Sequence, residues 1–495
     1  MAAVSPPKQH LQQHEENVAR FSERALFSFI MAAILCLVLI TRLAYLQIQN
    51  HQFYHTLSQA NILNVLPIAP ARGLIYDRNG VLLATNIPSY TLAIIPDKVK
   101  STADAIKTIR HMMPVSEAEI RKFRRIRSQY HRFQPIPLKR KLTEEEVARY
   151  YVDRFRLPGI VIEARSTRQY PLGSISAHLT GYVAQINTQE LRRVDSGQYD
   201  ISDDIGKTGV EKQYESVLHG TVGAEEVEID AAGRIVRTLN TRPPIAGNDL
   251  YLSIDSQLET RAIQILEALG DESGSIVAIN PQNGEILTMV SHPSFDPNLF
   301  AVGIDPKTYS ELLNSPLHPL YNRALWSQFA SGSTIKPFYA LNGLDAGIIT
   351  PDYTISDPGF WRLPNSRHVY HDWVKHGHGL VNVTKAITLS CDTYFYGLAY
   401  NTGITRMARL LSIFGFGKPT GVDLPGEKSG ILPSPAWKQK AVHQPWYMGD
   451  TIEVGIGQGY FNVTPLQLAQ AAATLGNRGA RFIPHVVAKT VDATG

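Results

Sequence analysis

The sequence predicts a multi-domain protein of the α+β class that carries a single N-terminal transmembrane helix. Its 495 residues are enough for two or more domains, each with its own core. The only long apolar stretch, residues 25–41, lies near the N-terminus, and both strand-like and helix-like segments follow it. A hydrophobic content of 44% and a charged content of 19% are typical of a globular protein rather than a disordered one.

The apolar stretch is at the short limit for a membrane span. Arg42 can extend its charged end toward the lipid headgroups, so that residues 43–46 lengthen the helix. No small-x-small cleavage site of a signal peptide follows the stretch. We therefore predict a retained transmembrane anchor at residues 25–46.

Basic residues around the anchor predict its orientation. Lys8, Arg20 and Arg24 precede the anchor, whereas residues 43–71 contain no Lys or Arg. Because basic flanks stay on the cytoplasmic side, residues 1–24 are predicted to form a cytoplasmic tail, with the bulk of the chain outside.

The net charge of +4 is unevenly distributed along the chain. Residues 121–141 contain nine Lys or Arg and no acidic residue, so the remainder carries a charge of −5. Such a run favours a solvated helix face, and contact with an anionic lipid, an anionic polymer or a partner protein is the alternative. No nucleic-acid-binding motif accompanies the run, which argues against nucleic acid as a ligand.

The chain contains only two cysteines, Cys36 in the predicted anchor and Cys391 far downstream. An intramolecular disulfide outside the membrane is therefore excluded. A single thiol in an oxidising compartment is expected to be buried or bound to a ligand, and this applies to Cys391.

Turn signals and periodicity predict the local elements that follow the anchor. Asp77-Arg-Asn-Gly80 lies between short apolar runs, as in a β-hairpin. Residues 242–247, Arg-Pro-Pro-Ile-Ala-Gly, are the predicted linker between two domains. The other predicted elements are helices at 117–127 and 143–154, strands near 159–163 and 224–235 with a turn at Ala232-Gly233, a strand at 249–254, a helix at 256–269 and a hairpin at 274–290.

The segment Ser333-Thr334-Ile335-Lys336 predicts nucleophilic catalysis. A Ser and a Lys three residues apart share one face of a helix, so the Lys amine can reach the Ser hydroxyl. A buried Lys in its uncharged form can take the Ser proton and thereby activate the hydroxyl for acyl transfer. The alternative is a serine-capped helix with a solvated lysine, and Ser5-Pro-Pro-Lys8 shows that the pattern also arises by chance.

Motifs along nearly the whole chain after the anchor resemble those of class B penicillin-binding proteins, which are peptidoglycan transpeptidases. The family's non-catalytic pedestal is matched by Arg72-Gly73, Asp77–Gly80, Leu83-Ala84-x-Asn86, Arg168–Pro171, Ala177–Val183 and Gly206–Glu215. Its catalytic domain is matched by Asp296-Pro-Asn298, Asn322-Arg-Ala324 and Gly455–Gly459. Trp437-Lys438 and Pro445-Trp446-Tyr447 resemble the elongation-specific group, penicillin-binding protein 2. The resemblance implies that Ser333 is the nucleophile and Lys336 the general base.

The family's second motif, Ser-x-Asn, is represented by Ser390-Cys391-Asp392, with Asp in place of Asn. The resemblance implies that the Ser390 hydroxyl relays a proton between Lys336 and the departing amine. Asp392 would be the polar partner that holds Lys336, although a nearby carboxylate favours the charged lysine and opposes its use as a base. A helix cap is the structural alternative for this motif.

The third motif, Lys-Ser/Thr-Gly, is expected beyond residue 495, so the transpeptidase domain is predicted to be truncated at its C-terminus. Lys207-Thr-Gly209 is rejected because it belongs to a pedestal motif, and it also lacks the first glycine of a phosphate loop. Lys428-Ser-Gly430 is rejected because it follows Ser390 too closely, in a loop-like stretch. The missing strand would pair with the substrate peptide and complete the oxyanion hole, whose other donor is the Ser333 amide.

A structural zinc site is a further implication of the resemblance. It maps onto Asp357, Asp372, His378 and Cys391, a donor set that suits tetrahedral Zn²⁺. His371 and His376 are rival ligands, and a buried thiol beside a polar loop is the alternative to a metal. Acyl transfer by a serine needs no cofactor.

The resemblance implies an elongated pedestal at 47–245, with a helical head insertion at about 95–160, and a transpeptidase domain of antiparallel sheet flanked by helices at 246–495. The implied reaction cross-links stem pentapeptides ending in D-Ala-D-Ala through a serine acyl-enzyme, with β-lactams acylating the same serine. The implied partners are a RodA-type membrane glycosyltransferase and a cell-shape scaffold protein, at the bacterial inner membrane with the bulk of the chain in the periplasm.

The sequence leaves two alternative functions. A β-lactamase or carboxypeptidase would use the same Ser-Lys chemistry but has little use for a membrane-tethered pedestal. A catalytically silent β-lactam sensor or allosteric partner of a glycosyltransferase is the non-enzymatic alternative, but sensors usually carry more spans and a cytoplasmic effector.

Overall fold

The structure is a computed structural model, and it describes residues 8–50, 63–130, 134–195, 197–229, 235–270 and 273–492. The described chain divides into two compact units. One contains the residues up to 68 together with 224–242, and the other contains 69–223 together with 243–495. The predicted turn at Ala232-Gly233 lies outside the described residues.

The first unit contains the predicted anchor. Its helix spans Lys8–Ala44 and continues as a π-helical turn, Tyr45–Gln49. The 26 residues Arg24–Gln49 are long and apolar enough to cross a membrane, because they extend roughly 39 Å at 1.5 Å per residue. The strands Leu63–Ile68, Gly223–Ile229 and Ile235–Arg242 form a three-stranded sheet in that order.

The second unit is built around a six-stranded sheet that is mainly antiparallel. Its strands are, in spatial order, Val487–Val491, Asp249–Leu252, Ile75–Tyr76, Leu82–Ile94 and Ile136–Lys139, with Ile160–Gln169 also pairing with Leu82–Ile94. The predicted hairpin is present, since Ile75–Tyr76 pairs antiparallel with Leu82–Ile94. The Asp77 carboxylate closes this turn by accepting hydrogen bonds from the amides of Asn79 and Val81, both at 2.8 Å.

Three amphipathic helices cover one end of this sheet, where a head insertion is predicted. They span Thr102–Met112, Glu117–Ile126 and Glu144–Asp153. Ser116 and Thr143 begin two of them with reciprocal capping boxes, which satisfy amides that have no intrahelical partner. Phe123 is 1% exposed and packs with apolar side chains of the sheet.

The remaining helices of the second unit are mostly short. They are Ala177–Thr180, Thr188–Leu191, Gly209–Gln213, Glu215–Leu218, Ser256–Ala268, Asn298–Ala301, Pro306–Asn314, Arg323–Trp326, Lys336–Asp345, Val383–Thr388, Asp392–Thr402, Ile404–Ile413, Pro435–Ala441, Met448–Val454 and Pro465–Gly476, with 3₁₀ turns at Pro96–Lys98, Arg127–Gln129, Arg154–Arg156, Gly173–Ile175 and Gly332–Ile335.

Antiparallel two-stranded pairs complete the unit. They are Val183–Gln185 with Asp204–Gly206, Gly274–Ile279 with Ile286–His292, Phe329–Ala330 with Asn462–Val463, Thr354–Asp357 with Gly379–Asn382, and Phe360–Arg362 with Val369–His371. The predicted linker residues 243–247 are held in place, because Ile245 pairs with Thr221 and the Gly247 amide donates to the Ala71 carbonyl at 2.9 Å. The domain boundary at 245/246 stays a prediction.

One core cluster positions the two helices that carry the catalytic motifs, Lys336–Asp345 and Asp392–Thr402. Phe338 and Phe395 are both buried in it. Gly343 allows a close approach here, because a Cβ at this position would lie 2.7 Å from Leu398 Cδ1. The motif side chains therefore start from a rigid, well-packed base.

Candidate active site

Ser333 lies in a short 3₁₀ turn, Gly332–Ile335, that leads directly into the helix Lys336–Asp345. Gly332 has φ +55°, a left-handed conformation that favours glycine, and its amide donates to the Gly457 carbonyl at 2.9 Å. Ile335 is fully buried whereas Ser333 is exposed. The buried Ile335 and the hydrogen bond of Gly332 thus fix the turn, while the Ser333 side chain faces solvent.

Ser390 connects Ser333 with Lys336. Its hydroxyl donates to Ser333 Oγ at 2.7 Å and accepts from Lys336 Nζ at 3.1 Å. Hydroxyl hydrogens rotate, so the same oxygen positions also suit a proton that passes from Ser333 toward Lys336. The predicted direct hydrogen bond between the Lys336 amine and the Ser333 hydroxyl is not found among the described residues; Ser390, 54 positions beyond the lysine, connects the two groups instead.

The backbone at Ser390 is strained. Its φ of +52° is rare for a residue with a side chain and costs roughly 1–3 kcal/mol. Amide hydrogen bonds from Ser390 to Ile387 and from Cys391 to Ala386 hold the turn. In this left-handed conformation both the hydroxyl and the carbonyl of Ser390 accept hydrogen bonds from Lys336 Nζ.

Lys336 is 1% exposed, and each ammonium hydrogen has an acceptor. Besides Ser390 Oγ, the acceptors are the Ser390 carbonyl at 2.7 Å and Asp392 Oδ1 at 2.5 Å. The ring of Phe395 lies 5.5 Å from Nζ. Burial raises the pKa of the Asp392 carboxyl, and the neighbouring ammonium acts in the opposite direction.

The four predicted metal ligands also lie together. One ligand atom from each of Asp357, Asp372, His378 and Cys391 lies within 4.8 Å of all the others. His378 Nδ1 is 2.9 Å from Asp357 Oδ2, which also accepts from Cys391 Sγ at 3.3 Å. The rival ligands His371 and His376 are exposed and are not part of this group.

The environment of this group fits a divalent cation. Both carboxylates are buried, Cys391 is fully buried, and His378 Nε2 is buried without a hydrogen-bond partner among the residues that the structure describes. Burial, followed by the negative charge of Asp357, raises the pKa of the Cys391 thiol. Burial pushes the pKa of Asp357 upward, but hydrogen bonds from the Gly359 amide and from His378 outweigh it and lower that pKa. Buried like charges of this kind are stabilised by a metal.

Both rejected Lys-Ser/Thr-Gly sequences have partners of their own. Lys207 pairs with Glu190. The Ser429 carbonyl accepts a hydrogen bond from Gln467 Nε2 at 2.6 Å. These contacts agree with a structural role for each sequence.

Sequence reasoning missed several residues that support the site. The exposed Trp373 donates from Nε1 to the Leu389 carbonyl at 3.3 Å, next to Ser390. The Gly457 carbonyl holds Gly332, a contact that the Gly455–Gly459 motif alone does not predict. Phe395 could have been inferred, because it follows Asp392 by three residues on one helix face. No local signal points to Trp373.

Comparison with known proteins identifies the family. Residues 67–252 match the penicillin-binding protein dimerisation domain, and residues 274–494 match the penicillin-binding protein transpeptidase domain. The chain is 43% identical over 479 residues to the peptidoglycan D,D-transpeptidase MrdA of Escherichia coli K12, covering 96% of this chain and 75% of that protein.

Solved structures give the same result. Pseudomonas aeruginosa PBP2 in complex with WCK 5153 is 40% identical with a TM-score of 0.64, covering 86% of this chain and 73% of that one. Helicobacter pylori PBP2 in complex with MreC is 31% identical with a TM-score of 0.75, covering 87% of this chain and 81% of that one. The predicted fold class is confirmed. The chain belongs to the class B penicillin-binding proteins, which combine a dimerisation domain with a transpeptidase domain.

Proposed function

We propose that this chain is a peptidoglycan D,D-transpeptidase that cross-links stem peptides during cell elongation. The observation that carries the proposal is the line of hydrogen bonds from the exposed Ser333 through Ser390 to the buried Lys336. An exposed hydroxyl connected to a buried amine is the arrangement that nucleophilic acyl transfer requires. Similarity to MrdA supports the substrate class.

In the first half-reaction, Ser333 Oγ attacks the carbonyl carbon of the penultimate D-alanine. The Ser333 proton passes through the Ser390 hydroxyl to the Lys336 amine, and this step requires that the Lys336 ammonium has first released the proton that it shares with Asp392. When the tetrahedral intermediate collapses, the C–N bond breaks, and the proton returns through Ser390 to the nitrogen of the departing D-alanine. The Ser333 amide is one of the donors that stabilise the oxyanion, because an amide in the first turn of a helix has no intrahelical partner.

In the second half-reaction, an amine of a neighbouring stem peptide attacks the acyl-enzyme. It forms the new amide bond, loses one proton to Lys336 through Ser390, and releases Ser333 when that oxygen recovers the proton. Asp392 holds the Lys336 side chain throughout, at 2.5 Å. β-Lactams would acylate the same serine and remain bound, because their ring-opened product does not diffuse away as D-alanine does.

The test is covalent labelling of the whole chain with a fluorescent penicillin, followed by mass spectrometry of the labelled peptide. We expect one label on Ser333 in the wild type and none in Ser333→Ala. Ser310→Ala, at an exposed helix position, is the matched control and should label normally. Equal labelling of wild type and Ser333→Ala would contradict the proposal. Rapid release of penicilloate would favour a hydrolase instead.

We also propose that Asp357, Asp372, His378 and Cys391 hold a structural Zn²⁺. The ion would supply a cross-link between the hairpin that contains Asp357 and the start of the helix that contains Asp392, with no part in acyl transfer. Metal content of the purified chain, measured by plasma mass spectrometry, is the test. Zinc should be lost in Cys391→Ser and retained in His376→Asn. Unchanged zinc in Cys391→Ser would exclude this ligand set.

The proposed location is the bacterial inner membrane, with the bulk of the chain in the periplasm. The apolar helix at Arg24–Gln49 and the basic residues before it support this topology. The proposed partners are a RodA-type glycosyltransferase and a cell-shape scaffold protein. The complex of the H. pylori relative with MreC supports a protein partner.

A further inference from the structure

The basic run at residues 121–141 contributes to a cavity that the proposed catalytic function does not use. The cavity has a volume of about 470 Å³ and lies beside the helix Glu117–Ile126. Lys122, Arg125 and Arg140 line one part of it, and Ile186, Phe300 and Ile304 line another. We call this cavity the basic pocket.

Two of the three cations in the basic pocket form no ion pair among the described residues. Lys122 and Arg125 are three residues apart and share one face of their helix. Among the described residues neither forms an ion pair, and the nearby Glu119 is engaged in the capping box with Ser116. Arg140 is already paired with Asp204 at 2.9 Å.

The surroundings of Lys122 disfavour its charged form. Its side chain is half-buried, and Nζ lies close to Gly303, where an added Cβ would be 3.9 Å away. Burial, followed by the repulsion of Arg140, lowers the pKa of Lys122 to about 8. The Lys122 amine therefore lines the cavity without an ion-pair partner among the described residues, and the charges of Asp204 and Glu119 only partly offset the effects of burial and of Arg140.

We propose that the basic pocket binds a phosphate monoester that carries a small apolar group. Asp204 neutralises one of the three cations, so two positive charges remain, and a phosphate monoester is close to a dianion at neutral pH. Guanidinium and ammonium groups together are the usual ligands of phosphate oxygens. The cavity is larger than a phosphate ion needs, and its apolar side suits a hydrocarbon group.

The test is calorimetric titration of the whole chain in detergent at pH 8 with phenyl phosphate. We expect binding in the wild type, and a dissociation constant raised about tenfold or more in Lys122→Met and in Arg125→Gln. Arg124→Gln, an exposed arginine of the same helix outside the pocket, should bind as the wild type does. Lys122→Arg should retain binding, because it keeps the charge.

Two further measurements distinguish this site from non-specific charge attraction. Benzoate should bind at least about tenfold more weakly than phenyl phosphate, since it carries one charge fewer. Binding should take up protons at pH 8 in the wild type but not in Lys122→Met, measured by the dependence of the heat on the ionisation enthalpy of the buffer. This uptake is expected because the phosphate favours the protonated amine of Lys122.

Titration with a second ligand distinguishes a lipid phosphate from a soluble phosphate monoester as the natural ligand. Dihexanoyl phosphatidic acid, used below its micellar concentration, should bind more tightly than phenyl phosphate if the natural ligand is a lipid, and no more tightly if it is a soluble monoester. Penicillin labelling of each variant reports folding and is independent of the pocket. Unchanged affinity in folded Lys122→Met and Arg125→Gln, or benzoate binding equal to that of phenyl phosphate, would overturn the proposal.

Discussion

Two buried lysines in this protein have similar surroundings but different connections. Lys336 is 1% exposed, with Asp392 at 2.5 Å and the Phe395 ring 5.5 Å away. Lys438 is 2% exposed, with Asp450 at 2.6 Å and the Tyr447 ring 4.8 Å away. A buried amine paired with a carboxylate is thus not sufficient to identify a catalytic lysine.

The hydroxyl group of Ser390 makes the difference. It connects Lys336 to the exposed Ser333, whereas the side-chain partner of Lys438 is the Asp450 carboxylate, which also accepts from the Tyr447 amide at 2.7 Å. Desolvation acts to lower the pKa of Lys438, but the hydrogen bond and charge of Asp450 outweigh it and raise that pKa. Lys438 therefore fixes the start of a helix, whereas the hydrogen bonds of Lys336 lead through Ser390 to the exposed Ser333.

The sharpest test of this comparison replaces each lysine with methionine. Lys336→Met should lower the rate of penicillin acylation by about 10³-fold, because the proton acceptor is removed. Lys438→Met should retain the rate per folded molecule, with a lower melting temperature. Stopped-flow labelling, normalised to the folded fraction by circular dichroism, measures both. Similar losses of rate in two folded variants would show that the comparison is wrong.

The next largest effect is expected at Ser390. Ser390→Ala should lower the acylation rate by about 10²-fold, because the Lys336 amine loses its path to Ser333. Ser390→Gly removes the same hydroxyl but relieves the backbone strain at φ +52°, so it should be slow in acylation yet more stable to heat than Ser390→Ala. If the glycine variant recovers the wild-type rate, Ser390 acts only through its backbone.

A third buried ionisable side chain, Glu259, sharpens the comparison because it has no cation partner among the described residues. Glu259 is fully buried and its Oε1 accepts a hydrogen bond from the Met289 amide, whereas Oε2 has no hydrogen-bond partner in the described part of the chain. Burial raises the pKa of Glu259 to about 8 from its ordinary value of 4.5. Since the folded pKa is raised, the stability from the protonated form is fully present below pH 4.5 and is lost as the pH rises toward 8.

Glu259→Gln should remove this dependence, because an amide stays neutral. The melting temperature of the wild type should fall by a few degrees more than that of Glu259→Gln between pH 5 and pH 8. Scanning calorimetry at four pH values measures the difference in melting temperature between the two proteins. Contributions from other titratable groups cancel in this difference. Parallel curves for the two proteins would mean that the Glu259 carboxyl is solvated or paired.

Local sequence signals explain part of what the structure contains. The three-residue spacing of Ser333 and Lys336 and the turn residues of Asp77–Gly80 act over short distances, so they could be interpreted directly. The family resemblance supplied Ser390, Asp392 and the four metal ligands, whose roles stay predictions. The pairing of Lys438 with Asp450 and the basic pocket depend on tertiary packing that no local pattern encodes.

The smallest predicted effect concerns Trp373, which that packing brings to the residue before Ser390. Trp373→Phe keeps an aromatic ring but removes the donor to the Leu389 carbonyl, a hydrogen bond worth roughly 1 kcal/mol at most in an exposed position. The acylation rate should therefore fall only about two- to fivefold, through looser positioning of the Ser390 hydroxyl rather than loss of the proton path. Trp437→Phe, at a tryptophan without this contact, is the control in the same stopped-flow assay. A loss as large as that in Ser390→Ala would mean that Trp373 contacts the substrate itself, and an unchanged rate would mean that the strained turn is fixed by its own backbone hydrogen bonds.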